Sequence, residues 1–140
     1  MKKRVGDLMV AIHYKPNCGR HDRDVKNVPV RECPYYLSIV QEDESIHERY
    51  VAVAKSSSSN YLKETRYTYG SLMRLAFSLA KDGYRDEKGA KEPMKVYRES
   101  NLLHDGHHRA AVLLALHGPE YLVDVVELDE EVPIHEHRCE

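Results

Sequence analysis

Tryptophan is absent from this sequence, phenylalanine occurs once, and cysteine occurs three times. Cys18, Cys33 and Cys139 are an odd number at wide spacings, which argues against a disulfide framework. No apolar run approaches the roughly 20 residues that a membrane helix requires. Met1-Lys2-Lys3-Arg4 is basic, but Val5-Gly6-Asp7-Leu8 follows in place of a long apolar segment, so a signal peptide is not expected and the cytoplasm is the expected compartment. An excess of charge is lacking too: 21 Lys and Arg against 23 Asp and Glu give a formal net charge of −2. That balance removes the general electrostatic case for nucleic acid and leaves only a local basic groove open.

What the chain does contain is an ordinary globular balance. At 140 residues, with 41% hydrophobic and 31% charged side chains, it suits one domain with a modest core. Ten tyrosines and nine histidines are its compositional signature.

Residues 8–14 alternate, with Leu8, Val10, Ile12 and Tyr14 on one face, and predict a strand. Lys15-Pro16-Asn17-Cys18-Gly19 is a turn cluster, residues 20–27 read as a charged exposed loop, and Val28-Pro29-Val30 as a short edge strand. Residues 34–40 form a turn or a short helix. Residues 45–55 predict a helix opened by a Ser45–Glu48 capping box, with Ile46, Tyr50, Val53 and Ala54 on its apolar stripe. The serine run that follows is a loop, and residues 61–69 read as polar and extended. Ser71 is placed to cap a helix carrying Leu72, Leu75, Ala76 and Leu79 at i, i+3, i+4, i+7, which Asp82-Gly83 ends before a charged loop. Residues 93–97 and 102–104 predict a β-hairpin, residues 107–116 a helix apolar nearly all round and ended by Gly118-Pro119, and residues 121–128 a valine-rich strand. The sum is an α+β domain, a small mixed sheet with packed helices, over residues 1–128, followed by a polar acidic tail at 129–140.

The chemistry concentrates in Leu103-His104-Asp105-Gly106-His107-His108-Arg109, where a strand turns into a helix. The first N–H groups of a helix lack internal partners and carry partial positive charge. A glycine there lets a ligand approach the backbone. Arg109 offers a planar fork for phosphate or carboxylate oxygens, and His107 and His108 bring donors, acid–base capacity or metal ligation. The result reads as a phosphate pocket. Asp105 sits where an N-cap would; as a cap it would fill those N–H groups itself, and otherwise it serves as a base or a magnesium ligand. His104 is either a hydrogen-bonded core residue or a supporting group behind the turn.

Two other constellations compete with this one. Cys18 and His21 have C-x-x-H spacing, and His135, His137 and Cys139 cluster near the end, but the spacing is too wide and irregular to make a zinc site the leading reading. Tyr61, Tyr67 and Tyr69 are suited to stacking on a base or sugar, but half-burial as strand tyrosines is the commoner role.

Over residues 71–128 the chain resembles the ParB/sulfiredoxin-like superfamily. The helix Leu72-Met73-Arg74-Leu75-Ala76-Phe77-Ser78-Leu79-Ala80-Lys81-Asp82-Gly83, the strand Pro93-Met94-Lys95-Val96, the box Leu103-His104-Asp105-Gly106-His107-His108-Arg109-Ala110-Ala111 and the strand Val123-Asp124-Val125-Val126 follow that family's order. The resemblance implies a nucleotide-binding fold whose box grips phosphates. Sulfiredoxins have a reactive cysteine where His107 stands here. Partitioning ParB proteins carry Gly-Glu-Arg-Arg in the box, where His107 and His108 replace the Glu and the first Arg, and a helix-turn-helix domain afterwards. The Asp-Gly-His-His-Arg form is more similar to ParB-like proteins of the free-serine-kinase type, and to stand-alone ParB-like proteins encoded among surface-polysaccharide genes.

The expectation is therefore a ParB-like protein that binds a nucleotide (ATP, ADP or CTP, with Mg2+) or another phosphorylated ligand at this turn. Gly106, His107, His108 and Arg109 are the expected phosphate contacts. Asp105 and His108 are the expected catalytic groups, Asp105 meeting metal only through nucleotide-bound magnesium, and His104 supports them. The reaction would be phosphoryl transfer to a small hydroxyl compound, or nucleotide hydrolysis. The alternative is a non-enzymatic nucleotide-dependent switch or partner-binding module. A ParB-type DNA binder or nuclease ranks last.

Overall fold

The computed structural model describes residues 1–13, 25–56, 68–82 and 93–129. Along these the chain runs β1 (Lys2–Arg4), a 3-10 turn (Val5–Asp7), β2 (Met9–His13), β3 (Val25–Pro29), a second 3-10 turn (Val30–Glu32), α1 (Pro34–Val40), α2 (Glu44–Ser56), α3 (Tyr69–Asp82), β4 (Met94–Tyr97), β5 (Leu103–Asp105), α4 (His107–His117) and β6 (Leu122–Leu128). It is a small α+β fold with two sheets. The larger has the order β1-β6-β4-β5, and β2 and β3 form a separate antiparallel pair. β4 and β6 are parallel, and β1 and β5 flank them antiparallel, so the four-stranded sheet is mixed. A bridge from Met9 to Leu102 links the two sheets.

Where periodicity is strong, element and face follow from it. Leu8, Val10 and Ile12 are all buried on one side of β2. In α3, Leu72, Ala76 and Leu79 are buried and Leu75 packs partly against them. The expected hairpin is β4–β5, with Asn101 in the left-handed region (φ 59°) at its tight end. In α4, the run Ala110, Ala111, Val112, Leu113 and Leu114 is buried, and shares one apolar cluster with Met94 and Val96 of β4 and Val123 and Val125 of β6. Gly118 ends the helix at φ 85°, its N–H donating to the Leu114 carbonyl.

The structure departs from expectation at several points. Lys2–Arg4, for which no element is expected from the sequence, pairs with β6, in register Lys2 to Asp124 and Arg4 to Leu122. Lys3 reaches across to Asn101 Oδ1 (2.6 Å) and Glu127 (3.5 Å), fastening that edge to the β4–β5 turn. The charged loop expected up to residue 27 gives way to strand at Val25, because ladder bonds to β2 outweigh the polarity of Lys26 and Asn27, and Val30 belongs to a 3-10 turn and not to the strand. Ser45 does not cap α2: Asp43, one position before the helix, accepts from the Ser45 N–H at 2.9 Å and the Ser45 hydroxyl at 2.6 Å. Ser71 likewise yields to Thr68, whose Oγ1 accepts the Ser71 N–H at 3.0 Å. In each case the side chain just before the first helical residue accepts an N–H of the first turn, as a cap does. The expectations for the 15–19 turn, the serine run beyond Ser56, the 83–92 loop and the tail beyond Asp129 lie outside the described residues.

α1 starts without a hydroxyl or carboxylate cap. Cys33 takes that position, its Sγ accepting the Tyr36 N–H at 3.5 Å, and Pro34 fills the first helical position. Burial pushes the Cys33 thiol up to about 11, so it is an inert packing group.

The 3-10 turn after β1 lies directly on the segment after α4. The Gly6 N–H donates to the Pro119 carbonyl at 3.0 Å, and a Cβ on Gly6 would stand 2.5 Å from the Pro119 Cβ. Gly6→Ala is therefore expected to destabilise the chain by about 1–3 kcal/mol through overpacking. Urea unfolding at constant m-value measures it, and a change under about 0.5 kcal/mol would mean the two segments part easily.

Candidate functional site

The turn from β5 into α4 is built on a single close approach. Gly106 has φ 105° and ψ 19°, a left-handed conformation that bends the strand end into the helix start. A Cβ there would meet Met94 Cγ at 2.5 Å and Sδ at 2.9 Å. The missing side chain is thus explained by Met94 beneath it, and not by space left for a ligand on that side.

The residue at the N-cap of α4 has no side chain to cap it with. The N-cap position is Gly106 rather than Asp105, so the capping alternative for Asp105 does not hold. Asp105 is half exposed at the end of β5 and its Oδ2 lies 3.7 Å from an Arg109 guanidinium nitrogen, one helical turn on. The Arg109 side chain is largely buried, 14% exposed. An ion pair at this distance with one exposed partner is worth about 0.3–0.5 kcal/mol.

The three histidines go to three different places. His104 is exposed and not the core residue its alternative reading required; its Nδ1 lies 3.5 Å from the Tyr97 hydroxyl. The His107 ring bonds back to the Leu103 backbone, and burial lowers it to about 4, the nearby Asp105 carboxylate offsetting this in part. The His108 ring turns toward the helices and stacks on Tyr35 of α1 at a centroid distance of 4.2 Å. Burial, then the neighbouring His107 and His47, lower it to about 3. By surface area both residues are only half-buried, yet enough protein surrounds the rings for desolvation to dominate. Both are neutral at pH 7.

Tyr35 connects this turn to a cluster absent from the sequence reading. His47 of α2 lies 5.7 Å from Tyr35, and Tyr50 meets Tyr35 edge-on at 5.4 Å. Tyr69, at the start of α3, closes the group at 6.2 Å from His47. His47 is 1% exposed and its Nε2 has no hydrogen-bond partner. The signal that could have found it is its spacing of three from Tyr50, which puts both on one helical face. Of the tyrosines suited to stacking or to half-burial in a strand, Tyr69 is on a helix and meets His47 edge-on within this cluster, and Tyr61 and Tyr67 lie outside the described residues, as do Cys18, His21, His135, His137 and Cys139.

A metal ion would have little to hold it here. Among the described residues no group of three or more His, Cys, Asp or Glu side chains converges. Asp105 is a single carboxylate at the turn and could offer a cation one ligand at most. Among the described residues no helix is long and apolar enough to cross a membrane.

Compared with known proteins, this chain matches no family, no curated protein and no solved structure.

Gly106 and Met94 should be coupled. Gly106→Ala is expected to cost about 1–2 kcal/mol for the positive φ and more for the clash. In a cycle with Met94→Ala the clash part disappears and the φ part persists, so the double variant is expected to be at least about 0.5 kcal/mol more stable than the sum of the singles predicts. Strict additivity in chemical denaturation would contradict the close approach.

Proposed function

We propose that this chain binds a phosphorylated ligand, a nucleotide by preference, at residues 105–109, on the ParB/sulfiredoxin-like plan that its sequence resembles. The observation that supports it best is the first turn of α4, whose N-cap residue is a glycine. The N–H groups of His107, His108 and Arg109 precede the helical hydrogen-bond ladder, and Gly106 supplies no side chain to cover them. An anion there gains the helix dipole and charge-assisted bonds to the backbone. Arg109 extends the same turn with a fork for two further oxygens.

The roles differ from a uniform histidine grip. His107 and His108 contribute backbone N–H groups, since their neutral rings are engaged within the fold. Asp105 stands exposed beside the phosphate position, where it serves as the base toward a hydroxyl acceptor or meets nucleotide-bound magnesium. Phosphoryl transfer to a small hydroxyl compound is the reaction this arrangement fits, driven by positioning and charge neutralisation. A nucleotide-dependent switch without transfer is favoured by one observation, the enclosure of the His108 ring, which removes an acid–base group from the ligand side.

Thermal unfolding with ATP, ADP, CTP and pyrophosphate, each with and without Mg2+, tests the proposal. Stabilisation of about 2.7 kcal/mol is expected at a hundredfold excess over Kd. Arg109→Ala is expected to lose most of it, and Arg109→Lys to keep only part, because an ammonium cannot form the fork. If none of these compounds shifts the native protein, the reading fails. If one binds and phosphate is neither released nor transferred, the switch form stands.

A further inference from the structure

The aromatic–histidine cluster does something the phosphate turn does not require. Of the described α2 side chains (residues 44–52), the buried ones are His47 and Tyr50; Glu44, Ser45, Glu48, Arg49 and Ala52 are exposed, and Ile46 and Val51 are half-buried. So this part of α2 is docked by an imidazole and a phenol where an ordinary amphipathic helix would use leucines. The imidazole is enclosed by rings from three other helices: Tyr35 of α1, Tyr69 of α3 and, beyond Tyr35, His108 of α4. β2 packs against α2 as well, and of its described side chains (residues 9–12) the buried ones are the apolar Val10 and Ile12. Among the described residues the carboxylate that acts on His47 is Glu48, its exposed neighbour on α2.

We propose that α2 is an acid-released clasp, docked through His47 and opened as pH falls from 7 toward 5, uncovering Tyr35 and the flank of α4 at His108. In the neutral ring the unpartnered Nε2 is an unused acceptor, a tolerable state. Protonation turns it into a buried N–H donor and adds charge in a nest of rings, near a second imidazole, with no carboxylate inside it among the described residues to balance that charge. Opening solvates that charge. The sign follows from linkage: in the opened state histidine titrates near 6.5, while burial holds His47 below that and His108 at about 3. The docked form is thus fully favoured above about 6.5 and loses ground below it, the opening constant rising about tenfold per pH unit for each ring released. The clasp acts with or without a ligand at residues 105–109, so its test is separate from that of phosphate binding.

Hydrogen exchange of the full chain at pH 7, 6 and 5, corrected for intrinsic rates, reads this directly. Amides of α2 should lose protection about tenfold or more between pH 6 and 5, while those of β4 and β6 lose clearly less. His47→Phe keeps a ring of similar size and cannot titrate, and should cut the pH response of α2 by about tenfold per unit. The proposal is overturned if α2 protection is flat with pH, if α2 and the two strands fall together, or if His47→Phe keeps the full response. Should that variant not fold, the comparison of α2 with the strands in the native chain still decides.

Discussion

The contact between Gly106 and Met94 governs how the rest of the molecule is arranged. A turn that must leave β5 and begin a buried helix at once has no room for a side chain at its pivot, because Met94 of the neighbouring strand already fills that space. With the turn pinned this tightly, α4 enters the core from its first residues, and five consecutive positions from Ala110 to Leu114 are buried. A helix surrounded on nearly all sides needs cover from several directions. The α1 and α3 helices supply it on one side, and the segment around Gly6 closes over the exit at Pro119.

The same tightness decides the chemistry of the turn. Had α4 begun further from the sheet, His107 and His108 would titrate near their ordinary value and serve as general acids at neutral pH. Drawn into the fold, they are held uncharged, one tied to the Leu103 backbone and the other stacked on Tyr35. Polarity on the open side is left to the helix N–H groups, Arg109, Asp105 and His104. This division separates an open side, with one guanidinium and the start of α4, from an inner surface of rings that joins four helices.

The parts legible in the sequence were those that repeat locally. β2, α3, the β4–β5 hairpin, α4 and β6 each carry a periodic apolar pattern bounded by turn residues, and each lies within a few residues of where that pattern puts it. The parts missed depend on partners distant in sequence. β1 is three residues, two of them lysine, and is a strand only because β6 presents a free edge more than 100 residues later. The capping residues were misplaced by two and three positions, since Asp43, Ser45, Thr68 and Ser71 all have the right chemistry and the string alone does not say where each helix begins. At the turn, residue types were readable but side-chain directions were not. His107 and His108 are adjacent and similar, and nothing in a linear string says that one bonds backwards and the other meets Tyr35, seventy-three positions earlier. His47 was missed for a related reason: a histidine on a polar-looking helix is ordinarily exposed, and its burial follows from tyrosines on three separate segments.

The Asp105–Arg109 pair is the last element to weigh, because it stands between the turn and any anion. At 3.7 Å, with the carboxylate half exposed, the pair contributes only a few tenths of a kcal/mol, and breaking it costs little. Arg109 is different: its side chain is largely buried, so its rotamer entropy is largely lost before any ligand arrives. A phosphate that takes the guanidinium from Asp105 exchanges one carboxylate contact for two shorter charge-assisted bonds, and gains the N–H groups of the first turn besides. The displaced carboxylate then lies next to the new anion and repels it, unless it shares a proton or a cation with it. A monoanionic ligand without metal would feel that repulsion least, and a polyphosphate would bind well only with magnesium between the charges. Under the proposed binding, this weak surface ion pair would become a requirement on the ligand's charge state, imposed by one carboxylate at the start of α4.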